Sequence, residues 1–203
     1  LAQNKNSING KIININLKTF DYKIASMGHR NPQGLFFDKT NNFILETEHG
    51  PMGGDEINLI YLEDIKNEKE LNFGWPIASA GEHYGGKNKD NERKYEKYPL
   101  HNSHSNHGFI EPLISFVPSI AISEISKVDN NKYIVSSLKD KSLYSFELDI
   151  NKQIINLNRI EVYERIRDLL FYDEKIYLFL EDSASIAVIP LSSIYTSNFS
   201  NIF

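Results

Sequence analysis

The sequence predicts an all-β fold, and three observations carry that prediction. Apolar runs of strand length recur along most of the chain, bounded by Gly, Asn, Asp and Pro. Several alternate apolar and polar residues, most clearly Ser142 to Leu148, which suits a half-buried strand. A polar turn feeding an apolar strand also repeats, at Asn41–Leu45, Asn130–Val135 and Asp173–Leu178. The last two copies lie about 43 residues apart, the length of one four-stranded propeller blade. The first gap is about twice that, as an inserted segment requires.

Taken in order, residues 1–9 are polar and read as loop. Gly10 to Leu17 reads as a strand, and Tyr22 to Ala25 as a second, short one. Leu35 to Asp38, Asn42 to Thr47 and Glu56 to Leu62 continue the series. Residues 63–110 break the rhythm, with Trp75-Pro76, the Gly81–Gly86 segment, a charged run from Lys87 to Lys97, and histidines at 101, 104 and 107. Within them Asp64 to Lys69 can form one or two helical turns. So long an irregular stretch in a compact domain is usually functional or disordered, and here it is expected to be an insertion, about residues 63–115, over one face of the sheets. From Phe116 the β pattern returns, with strands at Lys132–Leu138, Ser142–Leu148, Ile154–Tyr163, Arg167–Phe171, Lys175–Leu180 and Ser185–Leu191.

Composition bounds the function. The chain has 203 residues, of which 40% are hydrophobic, enough for one domain with a real core. A net charge of −5 with scattered Lys and Arg argues against nucleic acid as a partner. Without cysteine there are no disulfides and no Cys-ligated zinc. No apolar run approaches the roughly 18 residues of a membrane span. The first residues lack a signal-peptide pattern, and the chain opens on Leu1 rather than Met, so it is expected to begin inside a longer precursor.

The most informative stretch runs from Gly28 to Asn58. Gly28-His29-Arg30-Asn31-Pro32-Gln33-Gly34 and Glu48-His49-Gly50-Pro51-Met52-Gly53-Gly54-Asp55-Glu56-Ile57-Asn58 flank one apolar strand. The first cluster offers a cation beside two amides, and Arg grips planar carboxylates bidentately. The second is a turn of small residues beside carboxylates, whose freed carbonyls suit a hard cation. Such a pair can hold an anionic organic ligand through a metal ion, although the same residues also serve as ordinary tight-turn markers. Arg165 and Arg167 are two apart, so in a strand they point to the same side and can grip one anion.

With Asn72-Phe73-Gly74-Trp75-Pro76, these segments resemble the glucose/sorbosone dehydrogenase family, in family order and at near-family spacing. The resemblance extends to about Ser185. It implies a six-bladed β-propeller that oxidises aldose sugars with pyrroloquinoline quinone (PQQ) and calcium. It also implies a role for each matching position. Arg30, Asn31, Tyr84, Lys139, Arg165 and Arg167 match cofactor contacts. The Gly50 and Pro51 carbonyls match ligands of the cofactor calcium. Glu56 and the Phe73 backbone match a second, structural calcium position. Phe116 falls in a segment bordering the sugar, where the family often has Trp. Here that place is Phe or Val, which leaves sugar stacking open.

At about 45 residues per blade the chain supplies roughly three blades and a partial one, so it looks like the C-terminal half of a six-bladed ring. An open half-ring exposes edges that invite association, either with a missing N-terminal half or with a second copy. The family's catalytic base is a histidine upstream of Gly28, and none of the six histidines here matches it. The resemblance therefore implies a parent enzyme that passes electrons from an aldose to an acceptor in the periplasm or outside the cell, and a chain that alone lacks the base. A catalytically inactive propeller-type binding module is the alternative. A lactonase-like metal hydrolase wants carboxylates and amides converging on one metal from several blades, a set not evident in the sequence. The loop histidines at 101, 104 and 107 read as plain loop residues, and His29 and His49 as turn-stabilising groups.

Overall fold

The computed structural model describes residues 1–195. Its strands form four sheets, antiparallel throughout and joined in sequence order. A two-stranded sheet pairs β1 (Lys11–Ile15) with β2 (Tyr22–Met27). Next comes a four-stranded sheet of β3 (Pro32–Asp38), β4 (Phe43–Glu48), β5 (Asp55–Tyr61) and β6 (Ile114–Phe116). A second four-stranded sheet holds β7 (Ile122–Asp129), β8 (Lys132–Ser137), β9 (Ser142–Leu148) and β10 (Ile154–Glu161). The last described sheet has three strands, β11 (Ile166–Tyr172), β12 (Lys175–Leu180) and β13 (Ser185–Pro190). The all-β, four-stranded organisation expected from the sequence is therefore present.

The sheets stack face to face, and the side-chain alternation along each strand explains how. On β8, Tyr133 and Val135 face the preceding sheet, where they join Phe43, Leu45 and Ile57 in one core. Ile134 points the other way and joins Ile166, Leu169, Ile176 and Leu178 of the following sheet in a second core. A strand buried on both faces reads as a continuous apolar run, as Tyr133-Ile134-Val135 does. The first strands pack side by side, with β7 between β3 and β11.

Two elements differ from expectation. Strand β7 carries apolar residues at 122, 125 and 128 rather than at alternate positions. Register shifts between Ile122 and Ile125, and between Lys127 and Asp129, reset which face each side chain meets, and so erase the period of two. The long connection between β5 and β6 contains two short helices, α1 (Leu62–Lys66) and α2 (Glu92–Lys97). Helix α1 overlaps the helical turns expected at Asp64–Lys69, whereas α2 buries no residue and so has no apolar stripe to betray it. Strand β6 closes its sheet through Asp55–Phe116 pairing, so regular structure resumes at Ile114.

Chain direction places the loops. In an antiparallel sheet the first and third strands begin where the second and fourth end. Pro32, Glu48 and Glu56 align across one sheet, Ile122 and Ser137 across the next, and Ile166, Leu180 and Ser185 across the last. Buried hydrogen bonds stitch these ends together. Thr47 Oγ1 accepts from Gly34 N at 2.8 Å and donates to the Ser123 carbonyl at 2.5 Å, while Ser123 Oγ donates to the Ile166 carbonyl at 2.7 Å.

Candidate functional site

The loop leading into β3 is held by one carboxylate. Glu48 Oε2 accepts from Arg30 N at 2.5 Å and Asn31 N at 3.2 Å. Gly28 lets the chain enter this loop, since its φ is +78° and a Cβ there would lie 2.2 Å from Asn72 Oδ1. The Arg30 guanidinium donates to the His49 carbonyl at 2.9 Å and lies 5.3 Å over the Trp75 ring. Asn31 Nδ2 sits 3.4 Å from His49 Nδ1.

Beside it, the Gly50–Asp55 turn is tied at both ends. Gly50 N donates to Asp55 Oδ1 at 3.1 Å, and Ile122 N of the neighbouring sheet donates to Asp55 Oδ2 at 3.2 Å. The turn is so tight that a Cβ on Gly50 would lie 2.0 Å from the Gly54 carbonyl oxygen. Gly50 and Pro51 are both buried. A small cleft is lined by Arg30, Glu48, His49, Gly50, Glu56, Phe73, Trp75, Ala78 and Ser79.

The other sequence-derived residues divide between this end of the sheets and elsewhere. Lys139 follows β8, where its N–H donates to the Ile120 carbonyl at 3.0 Å. Its side chain is exposed, and its ammonium has no ion pair among the described residues. Arg165 and Arg167 flank the start of β11 and do grip one anion, namely Glu181 at the end of β12, at 3.0 and 2.9 Å. Phe116 ends β6 but is buried, its ring 5.3 Å from that of Tyr144 in the core. The next residue, Val117, is the exposed one, at 65%. Tyr84 lies on the insertion, 64% exposed and outside the cleft.

Behind the cleft is a buried acidic group. Glu46 and Glu48 on β4 pair with Asn58 and Glu56 on β5, and all four are at most 5% exposed. Burial raises the Glu46 carboxyl well above the usual range, and the Glu48 charge adds to the effect. Burial likewise raises Glu56, which lies 3.5 Å from His104 Nε2. His104 is not the plain loop histidine expected. It is 1% exposed and stands between Glu56 and Glu111, and although burial disfavours its charge, these acids hold its pKa above the ordinary value. His101 and His107 stack on each other, with ring centroids 3.6 Å apart.

Chemically, this end offers cations spread over three sheets beside a buried turn of small residues. Arg30 is only partly satisfied and Lys139 has no ion pair among the described residues, so both can meet an anion; the arginine pair can do so by releasing Glu181. This donor set suits a planar molecule with several carboxylates, and a carbonyl-bearing turn suits a hard divalent ion. Sequence reasoning quoted Glu48, Asp55 and Asn58 within the motif without giving them the roles seen here, and gave none to Glu46 or Glu181. The spacings Glu46-x-Glu48 and Glu56-x-Asn58 on adjacent strands were the signal for a shared polar face.

Residues 1–189 match the family model described as Glucose / Sorbosone dehydrogenase. An aldose sugar dehydrogenase of Escherichia coli (strain K12) is 28% identical over 179 residues, 84% of this chain and 44% of that protein. The crystal structure of the soluble aldose sugar dehydrogenase from Escherichia coli, in its apo form, superposes with a TM-score of 0.72 at 26% identity, over 93% of this chain and 57% of the other. A PQQ-bound aldose sugar dehydrogenase from Streptomyces coelicolor shares the fold, with a TM-score of 0.63 at 21% identity over 88% of this chain and 48% of that one. The chain spans less than half the length of the curated relatives it matches.

Proposed function

The chain belongs to the glucose/sorbosone dehydrogenase family, and from that premise we propose that it supplies the cofactor- and calcium-binding part of a PQQ-dependent enzyme oxidising aldose sugars at C1. This reading is supported by the placement of Arg30, the Gly50–Pro51 turn, Lys139 and the Arg165/Arg167 pair at the aligned, hydrogen-bonded ends of three sheets.

In this reading Arg30, Lys139, Arg165 and Arg167 neutralise the quinone's carboxylates, with Asn31 and Tyr84 as further contacts. The Gly50 and Pro51 carbonyls hold the cofactor calcium, and Glu56 with the Phe73 backbone holds a second. Bound there, the quinone supplies a hydride acceptor and calcium a Lewis acid. The Trp75 ring, 5.3 Å from the Arg30 guanidinium, covers one face of that cation. The segment at Phe116 and Val117 borders the sugar. In this reading none of the six histidines of the chain acts as the base for the C1 hydroxyl proton, and electrons leave to a separate acceptor, in the periplasm or outside the cell.

Titration with PQQ tests the proposal. Saturable binding that requires calcium, and is lost when Arg165→Ala is combined with Arg167→Ala, is the expected result. Binding indifferent to calcium and to both arginines would refute it. The paired state of those arginines with Glu181 gives some weight to the second reading, a binding module without redox function. No quinone binding even with the rest of the parent protein supplied would favour that reading.

A further inference from the structure

We propose that His29, Glu46 and Glu48, with Asn58, form a site for one small divalent transition ion such as Zn2+ or Mn2+, with a ligand set distinct from the Gly50–Pro51 carbonyls and from Glu56 and the Phe73 backbone, although it adjoins the latter pair.

Three ligand atoms, one from each of His29, Glu46 and Glu48, lie within 4.8 Å of one another. His29 Nδ1 is 3.4 Å from Glu48 Oε1 and 3.8 Å from Glu46 Oε2. Two ligands at about 2.0–2.1 Å from a tetrahedral ion lie about 3.3 Å apart, so the two histidine–carboxylate distances of 3.4 and 3.8 Å need to close by at most about half an ångström, and the ion would draw the two carboxylates in from within 4.8 Å of each other. The His29 ring is already oriented for the task. Its Nε2 is 2.8 Å from Ser26 Oγ, which leaves Nδ1 facing the carboxylates.

A second observation points the same way. Among the described residues, His29 Nδ1, Glu46 Oε1 and Asn58 Oδ1 are fully buried and have no hydrogen-bond partner. Three orphaned atoms in one cluster are costly, because each loses its water and gains nothing. Asn58 Nδ2 now faces Glu46 Oε2 at 3.0 Å and Glu48 Oε1 at 3.1 Å. Amide O and N positions are assigned from such networks. With a cation between the acids, the flipped amide would bring Oδ1 to the same place as a fourth ligand.

The donor set selects the ion. A histidine nitrogen with carboxylate and amide oxygens suits a borderline transition ion, whereas calcium prefers oxygen alone. Two carboxylates balance the charge of a divalent ion, which removes the need to bury net charge. Because Glu48 also holds the Arg30 and Asn31 N–H groups, the ion would lock the loop into β3 against β4. The inference does not depend on the quinone reading.

The test is anomalous diffraction from crystals of the chain grown with Zn2+ and, separately, Mn2+, each with excess Ca2+, together with metal analysis of the stripped, reloaded and desalted protein. The expected result is a peak within bonding distance of His29 Nδ1 and Glu46, and about one equivalent of transition ion retained. Glu46→Gln should weaken retention at least tenfold, and Glu56→Gln should leave the peak in place. Diffraction separates this site from adventitious zinc at the stacked His101 and His107. No peak at His29 in wild-type crystals, or its replacement by calcium, would overturn the proposal; that result would leave the acids to be neutralised by protons instead.

Discussion

Replacing Asp55 by alanine is the sharpest probe of how the sheet ends are held in register. Its carboxylate is 0% exposed and accepts from two backbone N–H groups of different sheets, Gly50 N at 3.1 Å and Ile122 N at 3.2 Å. Alanine removes both acceptors and leaves two buried donors without partners. Each such loss costs about 1–3 kcal/mol, so the expected destabilisation is about 2–6 kcal/mol. With a urea slope of about 2 kcal/mol per molar, the unfolding midpoint falls by about 1–3 M. Asp55→Asn keeps one acceptor and should fall between wild type and alanine. Asp21→Ala, at an exposed turn, should stay within about 0.5 kcal/mol. The assay is urea unfolding followed by circular dichroism. A loss below about 0.5 kcal/mol for Asp55→Ala would refute the reasoning.

Three further outcomes follow from the same coordinates. Gly50→Ala places a Cβ 2.0 Å from the Gly54 carbonyl oxygen, so the turn must open; calcium-dependent PQQ binding should weaken by at least tenfold, as read by fluorescence titration. Ile166→Ala empties a fully buried position between two sheets and should cost about 2–5 kcal/mol in urea unfolding. Asp38 gives a pH signature. Burial alone would raise its pKa, but Lys127 at 2.8 Å, Tyr133 at 2.6 Å and Asn41 outweigh that and hold it well below the usual range. A depressed folded-state pKa adds stability that is complete above the unfolded value of about 3.9 and is lost as pH falls below it. Wild type should therefore lose more of its unfolding midpoint than Asp38→Asn between about pH 5 and pH 2, and parallel curves would contradict this.

Much of the fold was legible because its strands carry regular signals. Ser142–Leu148 alternates, and Tyr133-Ile134-Val135 reads as a strand buried on both faces. Strand β7 was not legible, because its bulges break the period that would reveal it. Helix α2 was missed because a solvated helix of six residues has no buried face. At the site, motif order pointed to Arg30 and to the Gly50–Pro51 turn, and paired spacing put Arg165 and Arg167 on one anion. That the anion is Glu181 was hidden, since the partner arrives from the far end of another strand, β12. The burial of His104 was equally hidden, because an irregular insertion gives no register by which to place a side chain.

The most direct test of the proposed site is a crystal structure of the chain grown with PQQ and calcium. The expected density shows a flat molecule against the Gly50–Pro51 turn, with calcium on its carbonyls and its carboxylates reached by Arg30, Lys139 and the Arg165/Arg167 pair. Well-ordered quinone bound elsewhere, with those four cations unengaged, would contradict it.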